Sequence, residues 1–472
     1  MNKNRKMLPM ILLIALVLST GQALVLSVQG GESRASAALA EEQGPPVFLP
    51  VVVMRSVPDS IFGIDLGAIS PQNGLNEMVQ AGSKWVRRGS FLWPSVEPSK
   101  GDRKWEAVPN FESEMIAAHA NGLKTILVIQ NAPGWALTDP AIPCGTVKSQ
   151  EFSALASFVH DVVARYSQAP YHVQYYEIFN EPDSPYLGSK DQNWGCWGNE
   201  DDTTYYGGDT YGEMLKVVYP QVKAANSDAK VVLGGLLMDC NPKKENCAMT
   251  KFLEGLLSAG AGNSFDVLSF HTYDYYYEGY QGQYGNPNWD TQWDTSGPAI
   301  NAKVEYIKNT LAKYHVPNKP LFATELALLC TNNCGADFET SKAGFLAQNY
   351  VYALIHGVQS GIWYDVFGGW KNNGLLAKDL TPLPAFHAYQ TAQDKLGGAV
   401  FVREVTGYSN LKVYEFNKGD RLLWVLWSTK AEAQKINFPR QPLGAWDNQG
   451  ASLGTPSSTN VSNIPIYVEL SK

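Results

Sequence analysis

The stretch VQYYEIFNEP, residues 173–182, places a short apolar and aromatic run directly before the polar residues Asn180 and Glu181. Such a run predicts a buried β-strand of a parallel sheet, with polar side chains at its carboxyl end. A helical pattern follows at 212–225, where apolar residues recur every three or four positions. Strands that alternate with helices are typical of βα units, so this stretch predicts one unit of a repeating α/β fold.

The same order of strand and helix recurs along the chain from about residue 60 onward. Eight strands are predicted, at residues 61–66, 84–88, 125–130, 173–179, 230–235, 267–270, 320–324 and 361–367. Helical patterns lie between them, for example at residues 111–120, 151–166, 302–314 and 341–356. Eight βα units close a (β/α)8 TIM barrel, which is the fold that we expect for residues 59–397.

A doubly wound open sheet is the alternative α/β architecture. Its dinucleotide-binding form needs a glycine-rich phosphate turn after the first strand. The corresponding segment, FGIDLG at residues 62–67, lacks the GxGxxG pattern. We therefore expect a barrel, and no cofactor is indicated.

After a predicted closing helix at 386–395, the helical period gives way to alternating strands. These strands are predicted at residues 400–405, 411–417 and 422–428, separated by turns such as NKGD at 417–420. Residues 398–472 are therefore expected to form a small C-terminal β-sandwich packed on the barrel. Whether this domain binds polysaccharide or only covers the barrel stays open.

The N-terminal residues 1–38 have the features of an export signal. A basic start precedes a charge-free apolar run at 7–28, and the small residues at 35–38 offer a cleavage site. The apolar run is long for a signal peptide, so an uncleaved membrane anchor is the alternative. Residues 39–58 are expected to be a linker. The sequence thus predicts a secreted protein, or one attached to a membrane through its N-terminal segment.

The composition limits the class of partner. The formal net charge is −8, and no long basic stretch follows the N-terminus, which argues against a nucleic-acid partner. The chain contains 13 Trp and 24 Tyr, an aromatic content that suits a saccharide, because sugar rings pack their CH faces on aromatic side chains. A neutral or weakly charged substrate fits this composition best.

Six cysteines in an exported protein suggest disulfides. The short separations from Cys240 to Cys247 and from Cys330 to Cys334 favour local loop bridges, which would leave Cys144 with Cys196. A zinc site is the alternative, but the sequence has no CxxC pair and no HExxH helix. We expect three disulfides and no metal.

A glutamate directly follows two of the predicted strands. The fourth strand is followed by Asn180-Glu181-Pro182, and the seventh ends at Thr324 and is followed by Glu325. Reactive groups of a TIM barrel stand at the carboxyl ends of its strands, so both carboxylates are expected to face one cavity. Cleavage of a glycosidic bond needs such a pair, and a separation of roughly 5 Å would suit a covalent glycosyl intermediate with retention of configuration.

These residues resemble those of clan A, the large clan of retaining (β/α)8 glycoside hydrolases that includes families 5 and 39. The resemblance runs from about residue 61 to about residue 397 and includes Arg87 after the second strand, a His-x-Tyr motif at the sixth and a Trp at the eighth. It implies that Glu181 is the acid/base, that Glu325 is the nucleophile and that the substrate is an oligosaccharide or polysaccharide, with β-linkages favoured. It further implies a set of substrate-binding residues: Arg87, Asn180, His271, Tyr273 and Trp363.

Several of these assignments have a structural alternative. Strand alternation sends only one of Arg87 and Arg88 into the barrel, and the resemblance to the family, in its spacing from Lys84-Trp85, favours Arg87. His271 could be a hydrogen-bonded core histidine, whereas Tyr273 is expected to hydrogen-bond to Glu325.

Aromatic residues near the strand ends are further candidates for sugar binding. Trp363 could fill the top of the barrel, with Trp370 or Trp135 supplying the stacking face instead. The aromatic segment at 273–284, followed by Trp289 and Trp293, is long for a loop and is expected to build a cleft or a packed lid, which Trp194 and Trp197 could face.

Two other functions remain open on this fold. One is a carbohydrate-binding protein without catalysis, since a fold alone does not fix a function. The carboxylate pair argues against it, because two repelling acids cost stability that a binding protein need not spend. The other is a transglycosidase, in which a sugar hydroxyl replaces water in the second step.

Overall fold

The computed structural model describes residues 60–472, apart from residues 190, 191, 193, 245, 282–286, 318 and 333. The predicted export signal at 1–38 and the linker at 39–58 lie outside the described residues. Within the part of the chain that is described, no helix has the length and hydrophobicity required to cross a bilayer.

Eight parallel strands build a barrel, and each predicted strand is present. Their bounds are β1 Phe62–Asp65, β2 Trp85–Leu92, β3 Lys124–Gln130, β4 Tyr175–Ile178, β5 Lys230–Leu233, β6 Leu268–Gln281, β8 Leu321–Leu329 and β9 Val358–Trp363. The hydrogen-bonded order is β5-β4-β3-β2-β1-β9-β8-β6. Parallel bridges from Val232 to Val267 and from Leu236 to Phe270 then join β5 to β6 and close the barrel.

Helices follow the strands and cover the barrel. They are α1 Leu75–Gln80, α2 Trp93–Val96, α3 Pro109–Ala120, α4 Phe152–Tyr166, α5 Gly208–Ala225, α6 Lys251–Ser258, α7 Ile300–Lys313, α8 Phe338–Ile355 and α9 Pro384–Leu396. Short 3-10 turns lie at Pro71–Asn73, Trp105–Ala107, Ser149–Glu151 and Ala261–Asn263. On α4 the buried residues Leu155, Val159 and Val162 recur at helical spacing, so one face packs on the strands.

Large apolar side chains fill the barrel interior near the amino ends of the strands. Trp85 of β2 packs there with Phe322 of β8 and Ile362 of β9. Side chains alternate along a strand, so Arg87, two residues beyond Trp85, also points inward. The filled lower layer thus supports a polar layer at the carboxyl ends.

Strand β6 is longer than the sequence predicts. It continues to Gln281 and pairs in antiparallel fashion with β7, Pro287–Asp290, so much of the predicted aromatic loop is a β-hairpin. Trp289 and Trp293 at its return are buried. The ring of Trp289 packs on Phe345, and that of Trp293 packs on Tyr306. These two tryptophans anchor the hairpin.

The C-terminal domain consists of antiparallel strands. They are β10 Val400–Glu404, β11 Leu411–Lys418, β12 Arg421–Ser428, β13 Gln434–Asn437, β14 Gly444–Asp447, β15 Ser452–Gly454, β16 Ser458–Val461 and β17 Ile466–Ser471. A six-stranded sheet has the order β10-β11-β12-β17-β14-β15, and β13 pairs with β16. Ile436 of β13 and Val461 of β16 share a core with Trp424 of β12, which confirms the predicted sandwich.

Both faces of β12 are buried. Trp424 and Leu426 face the core of the sandwich, whereas Trp427, on the opposite face, belongs to the same core as the barrel. The indole of Trp427 lies 5.7 Å, ring to ring, from Tyr352 of α8. The domain is therefore packed on the barrel through an apolar face.

We expect Trp427→Ala to destabilise the protein by about 3–5 kcal/mol, because it removes a buried aromatic side chain and leaves a cavity at the barrel. Leu453→Ala on β15, where the side chain is exposed, is the control and should change stability by less than about 0.5 kcal/mol. Guanidinium unfolding of both variants measures the difference. Equal stability of the two variants would show that the sheet does not bury this face.

Candidate active site

A cleft of about 660 Å³ opens at the carboxyl ends of the barrel strands. Side chains from the ends of β1, β2, β3, β6 and β8 and from the loops after β4, β5 and β9 line it. These residues include Asp65, Arg87, Gln130, Asn180, Glu181, Trp194, Asp239, Tyr273, Tyr275, Glu325, Tyr364, Trp370 and Lys371. Among the sequence-predicted site residues, the cleft wall contains both glutamates, Arg87, Asn180 and Tyr273.

Arg87 is the cation at the base of the cleft and is only 2% exposed. Its Nη1 donates to Glu325 Oε1 at 2.6 Å, and its Nη2 donates to Glu177 Oε1 at 2.6 Å and to Asn180 Oδ1 at 2.5 Å. Nη1 also lies 3.6 Å from Asp65 Oδ2. Three carboxylates and one amide oxygen therefore converge on one guanidinium.

The neighbouring residue, Arg88, points the other way. It pairs with Glu114 of α3 and lies 4.1 Å from the centroid of the Phe111 ring. Alternation along β2 thus sends the guanidinium of Arg87 inward and that of Arg88 toward Glu114 in the helical layer, although Arg88 also borders the cleft.

A β-bulge directs Glu325 into the cleft. Phe270 of β6 pairs with Ala323 of β8, but the next residue, His271, pairs with Glu325, so Thr324 is the extra residue. A bulge re-aims the side chain that follows it. Glu325 accepts hydrogen bonds from Arg87 and, through Oε2, from the phenol of Tyr273. Both donors favour its ionised form.

Glu181 follows β4 in a turn. Its own φ is 47° and that of Phe179 is 64°, so the chain turns sharply and brings the carboxyl group into the cleft. Glu181 Oε1 lies 2.7 Å from Nδ1 of the fully buried His271, and the same nitrogen lies 3.4 Å from Glu325 Oε2. His271 is therefore in contact with both carboxylates.

Gly235 makes room for this imidazole. A Cβ atom at position 235, two residues after β5, would clash with Nε2 of His271. Only glycine fits this position.

The two glutamates differ in their electrostatic surroundings. Burial raises the pKa of Glu181 to about 8, and the negative charge of Asp239 adds to this rise while Arg87 opposes it. Burial also raises the pKa of Glu325, but the charge of Arg87 and the hydrogen bond from Tyr273 oppose this rise. Burial lowers the pKa of His271 to about 4, so the imidazole is neutral at pH 7. Glu181 is thus the carboxyl group that keeps a proton.

Oxygen atoms of Glu181 and Glu325 lie within 4.8 Å of one another and of a ring nitrogen of His271. Three such ligands could geometrically hold a metal ion. The guanidinium of Arg87 already compensates Glu325, however, and would repel a cation. Two close carboxyl groups with different proton affinities are instead suited to combined nucleophilic and acid/base chemistry.

Trp363 does not reach the cleft. Its ring is fully buried, and its indole N–H donates to the carbonyl of Asn373 at 2.8 Å. The expectation that Trp363 binds substrate is therefore wrong. Strand β9 ends at Trp363, and the next residue, Tyr364, is the one that faces the cavity. Tyr364 and Trp370 line the cleft instead.

Of the other aromatic candidates from the sequence, some line the cleft and others do not. Trp194 lines the cleft, whereas Trp197 is buried against Phe179 and Tyr211. Trp135 packs edge-on against Trp93, away from the residues that form the cavity wall.

Several polar residues of the site were missed by the sequence reasoning. Glu177 is a charged residue at an inward position inside the predicted strand 173–179. Asp65 lies near the end of the predicted strand 61–66 and Gln130 ends the predicted strand 125–130, so the strand-end rule could have found these two. Asp239 and Lys371 come from the loops after β5 and β9. Loop residues carry no periodic signal, so nothing in the sequence pattern pointed to them.

All six cysteines pair as predicted, and all three disulfides lie in loops at the cleft end of the barrel. Cys144–Cys196 joins the loops after β3 and β4, and the adjacent Gly195 N–H donates to the carbonyl of Asn180 at 2.5 Å. Cys240–Cys247 follows Asp239 directly. The thiols are therefore not zinc ligands.

A sequence profile described as "Cellulase (glycosyl hydrolase family 5)" matches residues 66–360. Comparison with curated protein sequences gives no match.

Solved glycoside hydrolases are similar in fold. A family 39 glycoside hydrolase from the gut symbiont Bacteroides cellulosilyticus WH2 has 21% identity and a TM-score of 0.65, over 88% of this chain and 81% of that one. A family 30 endoxylanase from Clostridium papyrosolvens C71 has 15% identity and a TM-score of 0.56, over 88% and 97%. A family 39 enzyme from Xanthomonas axonopodis pv. citri has 14% identity and a TM-score of 0.57, over 88% and 95%.

Because the pKa of Glu181 is raised in the folded protein, the stability of the fold should depend on the ionisation of this residue. A carboxyl group whose pKa is higher in the folded state stabilises the protein below its unfolded pKa, near 4.5, and loses that contribution as pH rises toward about 8. The side chain of Glu181→Gln cannot ionise, so this variant does not lose that contribution. Its free energy of unfolding, relative to that of the wild type, should therefore rise by about 1 kcal/mol or more between pH 4.5 and pH 8.5.

Guanidinium unfolding at both pH values measures this gain. Glu106→Gln, at an exposed position, is the control and should show no pH-dependent difference from wild type. A Glu181→Gln variant that follows the wild type at both pH values would show that Glu181 titrates normally.

Proposed function

This chain belongs to the cellulase family, glycosyl hydrolase family 5, and we propose that it hydrolyses O-glycosidic bonds with retention of configuration. In this proposal Glu325 is the nucleophile and Glu181 is the general acid/base. The main support is that a carboxylate oxygen of Glu181 lies within 4.8 Å of a carboxylate oxygen of Glu325. Retaining enzymes hold their carboxyl groups about 5–5.5 Å apart, whereas inverting enzymes leave roughly 6.5–9.5 Å for a water.

In the first step Glu325 attacks the anomeric carbon, and Glu181 gives its proton to the leaving oxygen. Arg87 and Tyr273 donate hydrogen bonds to Glu325, which favour the ionised nucleophile. Burial and the charge of Asp239 keep Glu181 protonated. The leaving sugar departs as a neutral alcohol, and a glycosyl ester forms on Glu325.

In the second step Glu181, now ionised, removes a proton from water, and the water attacks the glycosyl ester. The neutral His271 lies 2.7 Å from Glu181 and can donate its Nδ1–H to the carboxylate formed in the first step. Glu325 is released as the anion, and Glu181 regains its proton. Two displacements at one carbon restore the original configuration.

The substrate in this proposal is a β-linked oligosaccharide or polysaccharide of neutral sugars. The family is described as cellulase, and an endoxylanase is among the solved enzymes of similar fold. Aromatic rings of Trp194, Tyr275, Tyr364 and Trp370 line the cleft and suit the CH faces of a sugar.

We further propose that the enzyme is secreted. Three disulfides are typical of proteins from oxidising compartments, and the basic start and apolar run of the N-terminal residues have the pattern of an export signal.

Substitution of the two glutamates tests the assigned roles. On 4-nitrophenyl β-glycosides, Glu325→Gln should retain less than about one thousandth of wild-type kcat, because no nucleophile remains. Glu181→Ala should lose about 10²–10⁴-fold on substrates with poor leaving groups. Azide should rescue Glu181→Ala and give the β-glycosyl azide, since a small anion can enter the space that the side chain vacates.

Aglycone release and NMR of the first-formed anomer follow these reactions, with Glu106→Gln as a control of unchanged activity. An α-anomer as first product from a β-glycoside would contradict retention. Binding of saccharides without cleavage would favour the carbohydrate-binding alternative, and transfer products in place of hydrolysis would favour a transglycosidase.

The pKa values predict the pH profile of kcat/KM. Activity needs a protonated Glu181, so it should fall as pH rises through about 8, and it should fall in acid as Glu325 becomes protonated. Asp239→Asn removes a negative charge that raises the pKa of Glu181, so the basic limb should move to lower pH. Glu106→Gln should leave the limb in place, and an unmoved limb in Asp239→Asn would assign it to another group.

A further inference from the structure

Arg87 and Tyr273 both donate a hydrogen bond to Glu325, but the two donors are held in different ways. Arg87 is fixed by further hydrogen bonds, to Glu177 and to Asn180. Tyr273 lies on β6, and among the residues that the structure describes its phenol hydrogen-bonds to Glu325 alone. The direction of the phenol therefore depends on what packs against its ring.

Two aromatic residues that follow β9 pack against Tyr273. Trp370 meets it edge to face, with the ring centroids 5.3 Å apart and the ring planes at 70°. Tyr364 lies 6.4 Å from Tyr273 and 5.8 Å from Trp370, and both of these contacts are also edge to face. Because such contacts depend on ring orientation, Trp370 restricts the tilt of the Tyr273 ring. Trp370 is itself 39% exposed, so its own position needs support from the main chain.

The main chain after Trp370 supplies this support. Lys371 and Asn372 have φ values of 53° and 59°, a conformation that is rare outside glycine and persists only where the surroundings enforce it. The N–H of Cys330 donates to the carbonyl of Lys371 at 2.9 Å. The amide of Asn372 donates to the carbonyl of Cys330 at 3.1 Å and lies 3.5 Å from Sγ of Cys334. The two residues after the indole are thus bound to both cysteines of one disulfide.

The Cys330–Cys334 disulfide lies at the end of the strand that carries the nucleophile. Cys330 is fully buried and directly follows β8, which contains Glu325. From α8, the buried ammonium of Lys342 donates to the carbonyl of Asn372 at 3.0 Å and holds the same segment from the other side. The indole and the nucleophile are therefore fixed relative to one another through the end of β8.

We propose that the Cys330–Cys334 disulfide and Trp370 position Tyr273 for its hydrogen bond to the nucleophile. Trp370 is in this role a positioning residue, which acts on Glu325 only through Tyr273. The proposal rests on the hydrolase function above and deepens it. A ring that only stacked on a sugar would act independently of Tyr273, and a disulfide that only stabilised the fold would not act on Glu325.

A double-mutant cycle on an activated aryl β-glycoside separates these roles. Tyr273→Phe removes the hydroxyl group and with it the hydrogen bond to Glu325. Trp370→Ala should lower kcat/KM about tenfold in the wild-type background, which is the loss expected for a hydrogen bond to a charged group. In the Tyr273→Phe background the same change should cost less than about twofold, because the bond that Trp370 positions is already absent. Trp370→Phe keeps an aromatic edge and should recover part of the loss.

The disulfide is tested in the same two backgrounds. The double variant Cys330→Ser, Cys334→Ser should lower kcat/KM about threefold or more, a coupling of the size found between neighbouring residues, and should lose this effect beside Tyr273→Phe. The matched control is Cys240→Ser, Cys247→Ser, which removes another loop disulfide at the same end of the barrel. Any loss in the control should be equal in the two backgrounds. If the first double variant does not fold, Asn372→Gly takes its place, because it removes the amide contacts while glycine keeps the positive φ accessible.

The acid limb of kcat/KM gives an independent readout. The hydrogen bond from Tyr273 lowers the pKa of Glu325, so Trp370→Ala should move this limb to higher pH, as Tyr273→Phe does. The other charged and titratable groups that face Glu325 stay in place in these variants: Arg87 of β2, Glu181 after β4, His271 of β6 and Tyr364 after β9. Loss of sugar stacking or of fold stability does not move the limb.

Equal losses from Trp370→Ala in the two backgrounds, with an unmoved acid limb, overturn the proposal and leave the hydrolase function standing, since Trp370 then acts on the substrate directly. Equal losses from the Cys330 and Cys334 double variant in the two backgrounds overturn the role of the disulfide. Lack of cleavage of any glycoside by the wild type refutes the proposed function, and the positioning role is refuted with it.

Discussion

One buried guanidinium compensates the carboxylates at the ends of several barrel strands. Arg87 of β2 contacts Asp65 of β1, Glu177 of β4 and Glu325 of β8. Buried charges are costly, and removal of one partner from such a cluster leaves the others uncompensated. Loss of Arg87, which lies two residues beyond Trp85 on the same strand face, would therefore leave three buried carboxylates without their shared cation.

The two glutamates differ in reactivity because Arg87 contacts only one of them directly. Arg87 donates directly to Glu325, whereas Glu181 has a neutral imidazole, that of His271, as its nearest partner. Asp239 adds a further negative charge on the side of Glu181. One carboxyl group is thus stabilised as an anion and the other as an acid, although both are buried and lie close together.

The sequence predicts those parts of the site that follow from strand periodicity. Eight apolar runs and their polar ends locate the barrel, and alternation indicates that only one of Arg87 and Arg88 points inward, while the family resemblance favours Arg87. The bulge at Thr324 has no signal in the strand period, although Glu325 faces the cavity as expected. The prediction fails at Trp363, which lies one residue short of the turn that would expose it. Bulges and loop conformations depend on tertiary contacts, which one-dimensional spacing does not contain.

The disulfides join each cysteine to the next one along the chain: Cys144 to Cys196, Cys240 to Cys247 and Cys330 to Cys334. Six cysteines allow 15 pairings. Only this one results when each thiol pairs with the next unpaired thiol along the chain. Correct pairing thus needs no reshuffling, and the loops around the cleft can be cross-linked in their order along the chain.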